Sequence, residues 1–292
     1  MKLLDLIGNT PLVDLDKINP NPKVKIYGKL EGDNPGGSVK DRAAYNMIKC
    51  ALERGDIKPG IKLVEATSGN TGIALAMIAS MYGIDIELIM PDNSTRERVL
   101  TMEAFGAKVI LTPAAIGIEG SRDLADEMVA KGGYFMLNQF ENPDNYLAHY
   151  KTTGPEIWKD TNGKVTHFVS SMGTTGTIMG TSKYLKEQNQ NIQIIGCQPT
   201  EGSKIPGIRR WPIEYLPKIY EPSRVDAIYD ISELEATQMA QTLAKKEGVF
   251  AGMSSGGSAS AAVRLASTLE SGVIVCIICD RGDRYLSSNL FG

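Results

Sequence analysis

The chain has 292 residues, 42% of them hydrophobic and 22% charged, and a formal net charge of −3. That length is too great for one small core and suits two packed lobes, while the near-neutral balance lacks the concentrated basic face that nucleic acid requires. The most apolar stretch, 72–84, is broken by Ser80, Tyr82 and Gly83 and falls short of the ~20 residues of a membrane span.

The opening Met1-Lys2-Leu3-Leu4-Asp5 has no basic head followed by a long apolar core, so a cytoplasmic location is expected. Taken in chain order, Asn34-Pro35-Gly36-Gly37-Ser38-Val39-Lys40-Asp41-Arg42 reads as a turn entering a helix. Apolar runs at 63–64, 86–90, 109–111, 168–170, 192–197 and 273–279 predict buried strands. Helices are predicted between them, for example at 71–82, 95–105 and 234–247. The last opens with Ser232 and Glu235 in capping-box spacing and stops at Gly248. Strands alternating with helices predict parallel sheets covered on both faces, an α/β class. Composition never shifts sharply, so no linker marks a domain boundary.

Ligands in such folds collect where strands end and helices begin, because backbone N–H groups and helix dipoles converge there. Three turns of that kind are rich in Gly, Ser and Thr. Gly173-Thr174-Thr175-Gly176-Thr177 lets the backbone approach an anion and adds hydroxyl donors. It is neither a dinucleotide fingerprint nor a P-loop, and it suits a monophosphate. A plain tight turn remains the alternative. Thr67-Ser68-Gly69-Asn70-Thr71-Gly72 carries four polar side chains at a helix N-terminus, where one would serve as a cap. The surplus can grip a carboxylate. Ser254-Ser255-Gly256-Gly257 taken alone is ordinary loop chemistry.

Lys40 lies near the positive end of a helix dipole, an unfavourable place for a cation. Desolvation and the dipole would both lower its pKa, and imine chemistry needs the neutral amine. Pairing with Asp41 in solvent is the bland alternative. A phosphate turn and a carboxylate turn in the same chain favour the chemical one.

These segments, in this order and spacing, resemble fold-type II pyridoxal-phosphate enzymes. The resemblance runs from Gly8-Asn9-Thr10-Pro11-Leu12 to Cys279-Asp280-Arg281-Gly282-Asp283-Arg284-Tyr285-Leu286. Within that family the chain is similar to the cysteine synthases, and to their B-type branch through Gly202-Ser203-Lys204-Ile205-Pro206-Gly207-Ile208-Arg209-Arg210-Trp211-Pro212. The resemblance implies two lobes, each a mostly parallel sheet flanked by helices as in the tryptophan synthase β family, with pyridoxal 5′-phosphate in the cleft. It implies a small mobile domain at 36–146 and a larger one from 1–35 plus 147–292. Lys40 would hold the cofactor as a Schiff base and move the α-proton. Asn70 would meet the ring oxygen, Gly173, Thr174, Thr175, Gly176 and Thr177 the phosphate, and Ser254 the pyridine nitrogen. Thr67, Ser68, Thr71 and Gln139 would bind the substrate carboxylate.

The implied reaction is β-replacement: O-acetyl-L-serine loses acetate to give an aminoacrylate, and sulfide or thiosulfate adds to yield cysteine or S-sulfocysteine. Arg209, rather than Arg210, is expected to favour an anionic sulfur donor such as thiosulfate. Cys279 is expected to line the pocket, with Cys276, Cys50 and Cys197 as packing residues. Cys276-x-x-Cys279 has no second cysteine pair, and the histidines are His149 and His167, so no metal is expected. A homodimer is expected. Sister reactions on the same site stay open: cysteine desulfhydration, use of O-phosphoserine, or condensation of homocysteine with serine.

Overall fold

A computed structural model describes residues 1–67, 69–288 and 290–292. Two sheets organise them. The larger has the order β1 (Leu12–Asp14), β2 (Val24–Leu30), β10 (Gly272–Ile278), β7 (His167–Ser171), β8 (Gln193–Pro199), β9 (Ala227–Ile231). Only β1 runs antiparallel, pairing with β2. The smaller sheet is wholly parallel, β5 (Lys108–Thr112), β4 (Ile86–Pro91), β3 (Lys62–Ala66), β6 (Tyr134–Met136).

Parallel strands need crossover helices, and these supply the covering layers. Helix α2 (Asn70–Tyr82) is buried from Thr71 through Ala79. Its sequence is apolar on every side because it is enclosed on every side. It stops at Gly83, whose φ of 66° provides the left-handed terminus that side-chain-bearing residues resist. The core under it includes Ile48, Leu63, Ile73, Leu75, Ile78 and Leu88, none more than 1% exposed. Each such side chain contributes about 1.5–3 kcal/mol. The larger sheet packs on α9 (Met253–Ala266) through Val169, Ile274, Cys276 and Ala262 on one face, and on α7 (Gly176–Gln188) through Phe168, Ile194 and Val275 on the other.

The α/β class and the six predicted apolar strands are present, and so are helices α2 and α3 (Arg96–Ala104). The helix predicted at 234–247 is α8 (Glu233–Thr242) followed by one π-helical turn at Leu243–Glu247. Its capping box forms: Glu235 N–H donates to Ser232 Oγ at 3.1 Å, and Ser232 N–H to the Glu235 carboxylate at 2.9 Å. The final strand ends at Ile278, so Cys279 lies beyond it. Strands β1, β2, β6 and β9 escape the apolar-run criterion. β2 carries Lys29, which is fully buried against Glu156 and Asp160, and the edge strand β9 is largely exposed. Neither has the apolar composition that marks a central parallel strand.

Candidate active site

Four helix N-termini meet where β3, β7 and β10 end: α1 (Lys40–Arg54), α2, α7 and α9. The segment entering α1 is stitched there to the chain leaving β10. Val39 N–H donates to the Cys279 carbonyl at 2.8 Å, and Ser38 pairs with Asp280 in an isolated antiparallel bridge. Lys40 is the first residue of α1. Burial lowers its pKa from the ordinary lysine range, against the opposing pull of Cys279 and Asp280. That is the environment an amine needs to act as base or nucleophile at neutral pH.

The turn after β7 is built for close approach. A Cβ on Gly173 would strike the Gly207 carbonyl, and one on Gly176 would strike the Asn145 side chain. Thr175 adopts φ 69° at the N-cap of α7, a conformation costly for a β-branched residue. Its Oγ1 is buried and has no hydrogen-bond partner among the described residues. A buried hydroxyl without a partner at a helix N-terminus is what a phosphate oxygen would satisfy. Thr174 Oγ1 accepts from Asn145 Nδ2 at 3.1 Å, and Thr177 Oγ1 lies 3.3 Å from His149 Nε2. Burial, with help from Arg42 and Lys40, holds His149 well below the usual histidine pKa, so its ring is neutral. The turn therefore fits the phosphate of pyridoxal phosphate.

The second turn faces it. Thr67 and Thr71 are each 5% exposed, and Thr71 Oγ1 donates to Gln139 Oε1 at 2.7 Å. The Gln139 carbonyl accepts from Asn145 Nδ2 at 2.7 Å, so one asparagine ties the carboxylate turn to the phosphate turn. Asn70 opens α2; its Nδ2 donates to Asp280 Oδ2 at 2.7 Å, and its Oδ1 accepts from Arg284 at 2.5 Å. Ser68 lies outside the described residues. Ser254, in the first turn of α9, is 4% exposed, and its carbonyl accepts from Ser171 Oγ at 2.7 Å.

Cys279 has its N–H bound to Ser255 Oγ at 2.8 Å. Burial, then Asp280, pushes its thiol up to about 12, despite Ser254 and Lys40. Burial does the same to Cys276, also to about 12. Both are neutral thiols that line or pack rather than attack. Cys197 is buried, whereas Cys50 is half-buried on α1 and donates weakly to Asn46. No group of three His, Cys, Asp or Glu residues among the described ones is placed to hold a metal.

The two arginines after Ile208 part company. Arg210 is committed to Asp230 at 2.5 Å and to the Pro199 carbonyl at 3.0 Å. Arg209 is exposed and stacks on the Trp211 ring at 5.5 Å. Asp280, Arg284, Tyr285, His149, Asn145 and Trp211 join the cluster without having been singled out for a role from sequence. Asp280 had a signal, since it directly follows the apolar run 273–279, where a buried carboxylate needs a reason. Tyr285 OH supplies part of it by donating to Asp280 at 2.7 Å.

Comparison with known proteins agrees with this geometry. Residues 3–280 match the family model described as pyridoxal-phosphate dependent enzyme. The chain is 58% identical over 289 residues to cysteine synthase B of Pseudomonas aeruginosa, covering 99% of this chain and 97% of that one. It is 57% identical over 286 residues to cysteine synthase B of Escherichia coli, covering 98% and 94%. Its structure superposes on the cysteine synthase of Entamoeba histolytica with a TM-score of 0.94 at 39% identity, covering 99% of this chain and 90% of that one. With the lysine, the anion turn and the carboxylate turn converging as described, the chain belongs to the pyridoxal-phosphate-dependent enzyme family.

Proposed function

We propose that this enzyme makes cysteine from O-acetylserine and sulfide by replacing the acetoxy group at the β-carbon. The observation that carries the reading is a desolvated Lys40 linked to the Thr175 turn through His149 and Thr177, with Asn145 tying that turn to the Thr71–Gln139 pair. Pyridoxal 5′-phosphate, when bound, withdraws electron density from the amino acid's α-carbon.

The protein does the rest. Residues 173–177 hold the phosphate, and Asn70 meets the ring oxygen, itself oriented by Asp280 and Arg284. Ser254 offers the pyridine nitrogen a neutral hydroxyl, which leaves the ring a milder electron sink than a carboxylate would. Thr67, Ser68, Thr71 and Gln139 bind the substrate carboxylate and set the α-proton before Lys40. Lys40 takes that proton as acetate departs from the β-carbon, and it returns a proton to the α-carbon after sulfur has added. Residues 36–146 form the part that closes over bound amino acid onto 1–35 plus 147–292, excluding water from the reacting carbon. Arg209, free of ion pairs among the described residues and braced by Trp211, admits thiosulfate as a second donor, giving S-sulfocysteine. Cys279 lines the same side as a neutral thiol. The working form is a cytoplasmic homodimer; no helix among the described residues is long and apolar enough to cross a membrane.

The test is consumption of O-acetylserine by the purified holoenzyme with sulfide or thiosulfate, scored by acetate and thiol product. Cysteine or S-sulfocysteine formation is expected. Failure with both donors while cysteine itself yields sulfide would replace this reading with a desulfhydrase.

A further inference from the structure

Glu65 is the fourth residue of β3 and is 3% exposed, paired in register with Leu88 of β4. A carboxylate there is expensive unless its oxygens are occupied. They are occupied by main chain from a distant segment: Asn138 N–H donates to Oε2 at 3.1 Å and Gln139 N–H to Oε1 at 3.3 Å. Asn138 has φ 52°, so the turn that presents these donors is held in the left-handed region. Beyond the backbone bonds, Gln139 Oε1 accepts from Thr71 and its carbonyl accepts from Asn145, which also donates to Thr174. One carboxylate thus anchors a turn touching both the substrate-carboxylate loop and the phosphate loop. A cavity of about 260 Å³ opens beside it. The charged groups lining that cavity are Arg122 and Asp126 of α4 (Gly117–Lys131) and Glu141 beyond β6.

We propose that Glu65 is a positioning residue for the amino-acid substrate: by accepting both N–H groups of the Asn138–Gln139 turn, it holds the Gln139 amide where the substrate carboxylate docks. This rests on the reading of Gln139 as a carboxylate-binding residue. Burial raises Glu65 to about 7, although the Gln139 and Asn138 backbone bonds and Arg122 lower it. Only the ionised carboxylate can accept from both N–H groups with all its lone pairs free. The site therefore tightens as pH rises through about 7. Because the folded pKa exceeds the ordinary Glu value, the ionised group lowers fold stability as pH rises from about 4.5 to 7, and the penalty persists above that. Gln at this position removes that penalty but turns its NH2 towards one of the two N–H donors and leaves that buried donor unpaired.

The experiment compares the parent holoenzyme with Glu65→Gln. The variant should keep cofactor content and visible spectrum at pH 8, and its melting temperature is read beside them so that a general loss of fold is recognised. Its KM for O-acetylserine should rise about 10-fold while kcat stays within about twofold, the effect of removing one charge-assisted hydrogen bond. The upward step of kcat/KM near pH 7 should be present in the parent and absent in the variant. Amide exchange at Asn138 and Gln139, read without any amino acid, gives a substrate-free measure. Corrected for intrinsic rates, protection should grow between pH 6 and 8 in the parent and stay flat in the variant. An unchanged KM and pH step, or parent protection that does not respond to pH, overturns the proposal. Failure of the substrate reading shows differently: the parent itself then consumes no O-acetylserine, and the exchange result alone decides Glu65.

Discussion

Trp211 donates its indole N–H to the carbonyl oxygen of Gly173 at 2.7 Å. The loop that carries Arg209 is thereby fastened to the first residue of the phosphate turn, with Phe140 edge-on to the same indole at 5.5 Å. Arg209 also lies against this braced ring, so its guanidinium is held at low entropic cost. Replacing Arg209 with Ala should raise KM for thiosulfate about 10-fold, the worth of one charge-assisted hydrogen bond, and leave KM for sulfide unchanged. Steady-state kinetics with each donor checks this; equal losses for both would mean the loop, rather than the charge, was responsible.

Gly176→Ala tests the phosphate turn. The new methyl group would collide with Asn145, whose amide already serves Gln139 and Thr174. Asn145 cannot retreat without releasing both. Titration of the apoprotein with pyridoxal phosphate, followed by visible absorbance, should show affinity reduced by about 10-fold or more, with the melting temperature of the apoprotein also lowered.

Lys40→Met should abolish turnover, by about 10³-fold or more, and borohydride treatment followed by peptide mapping should find the pyridoxyl label on Lys40 in the parent only. The same variant makes a stability prediction for the apoprotein. A lysine whose folded pKa is depressed binds fewer protons native than unfolded, so it penalises the fold at neutral pH. That penalty fades as pH climbs towards the unfolded value of 10.5. Met keeps the volume without the charge. The variant apoprotein should melt higher than the parent at pH 7, and the gap should close towards pH 10 in paired melting curves.

Arg42, two residues into the same helix, is buried between Glu31 at 2.7 Å and Glu156 at 2.6 Å. Glu31 is itself fully enclosed. Arg42→Met would strand that carboxylate and should cost about 3–5 kcal/mol, measured as a shift in denaturant midpoint at constant slope. Burial alone would raise Glu156, but the Arg42 bond and charge, with Lys29, bring it down to about 2. A depressed carboxyl contributes stability that is present above about 4.5 and lost as pH falls towards 2. The acid limb of the parent's stability curve should therefore lie in that window, and it should flatten in Glu156→Gln.

Much of the site could be read from the chain because its determinants are local. A strand followed by Gly173-Thr174-Thr175-Gly176-Thr177 must turn tightly and expose helical N–H groups, wherever the rest of the chain goes. The same holds for Gly69 and Asn70, where α2 begins. Glu65 and Lys29 were illegible because a charged residue in a strand looks like an interruption until its partner is known. Those partners lie 74 and 131 residues away, at Gln139 and Asp160. Asp280 and Asn70 are 210 residues apart, beyond any local pattern. Nor does Arg209-Arg210 reveal which arginine is spoken for, since Asp230 holds one and Trp211 the other.

The sequence by itself determined the α/β class and placed Gly- and Thr-rich turns ahead of helices, with the candidate lysine at a third helix start, since backbone reach and helix termini follow from short spacings. The helix start already pointed to a lowered Lys40, but tertiary structure decided how the buried groups around it are protonated. Lys40 is pressed towards neutrality, Cys279 is kept a thiol near 12, and Glu65 is poised near 7. Those states depend on how much water the other elements exclude and on which charges they bring near, and neither is written at the residue that titrates.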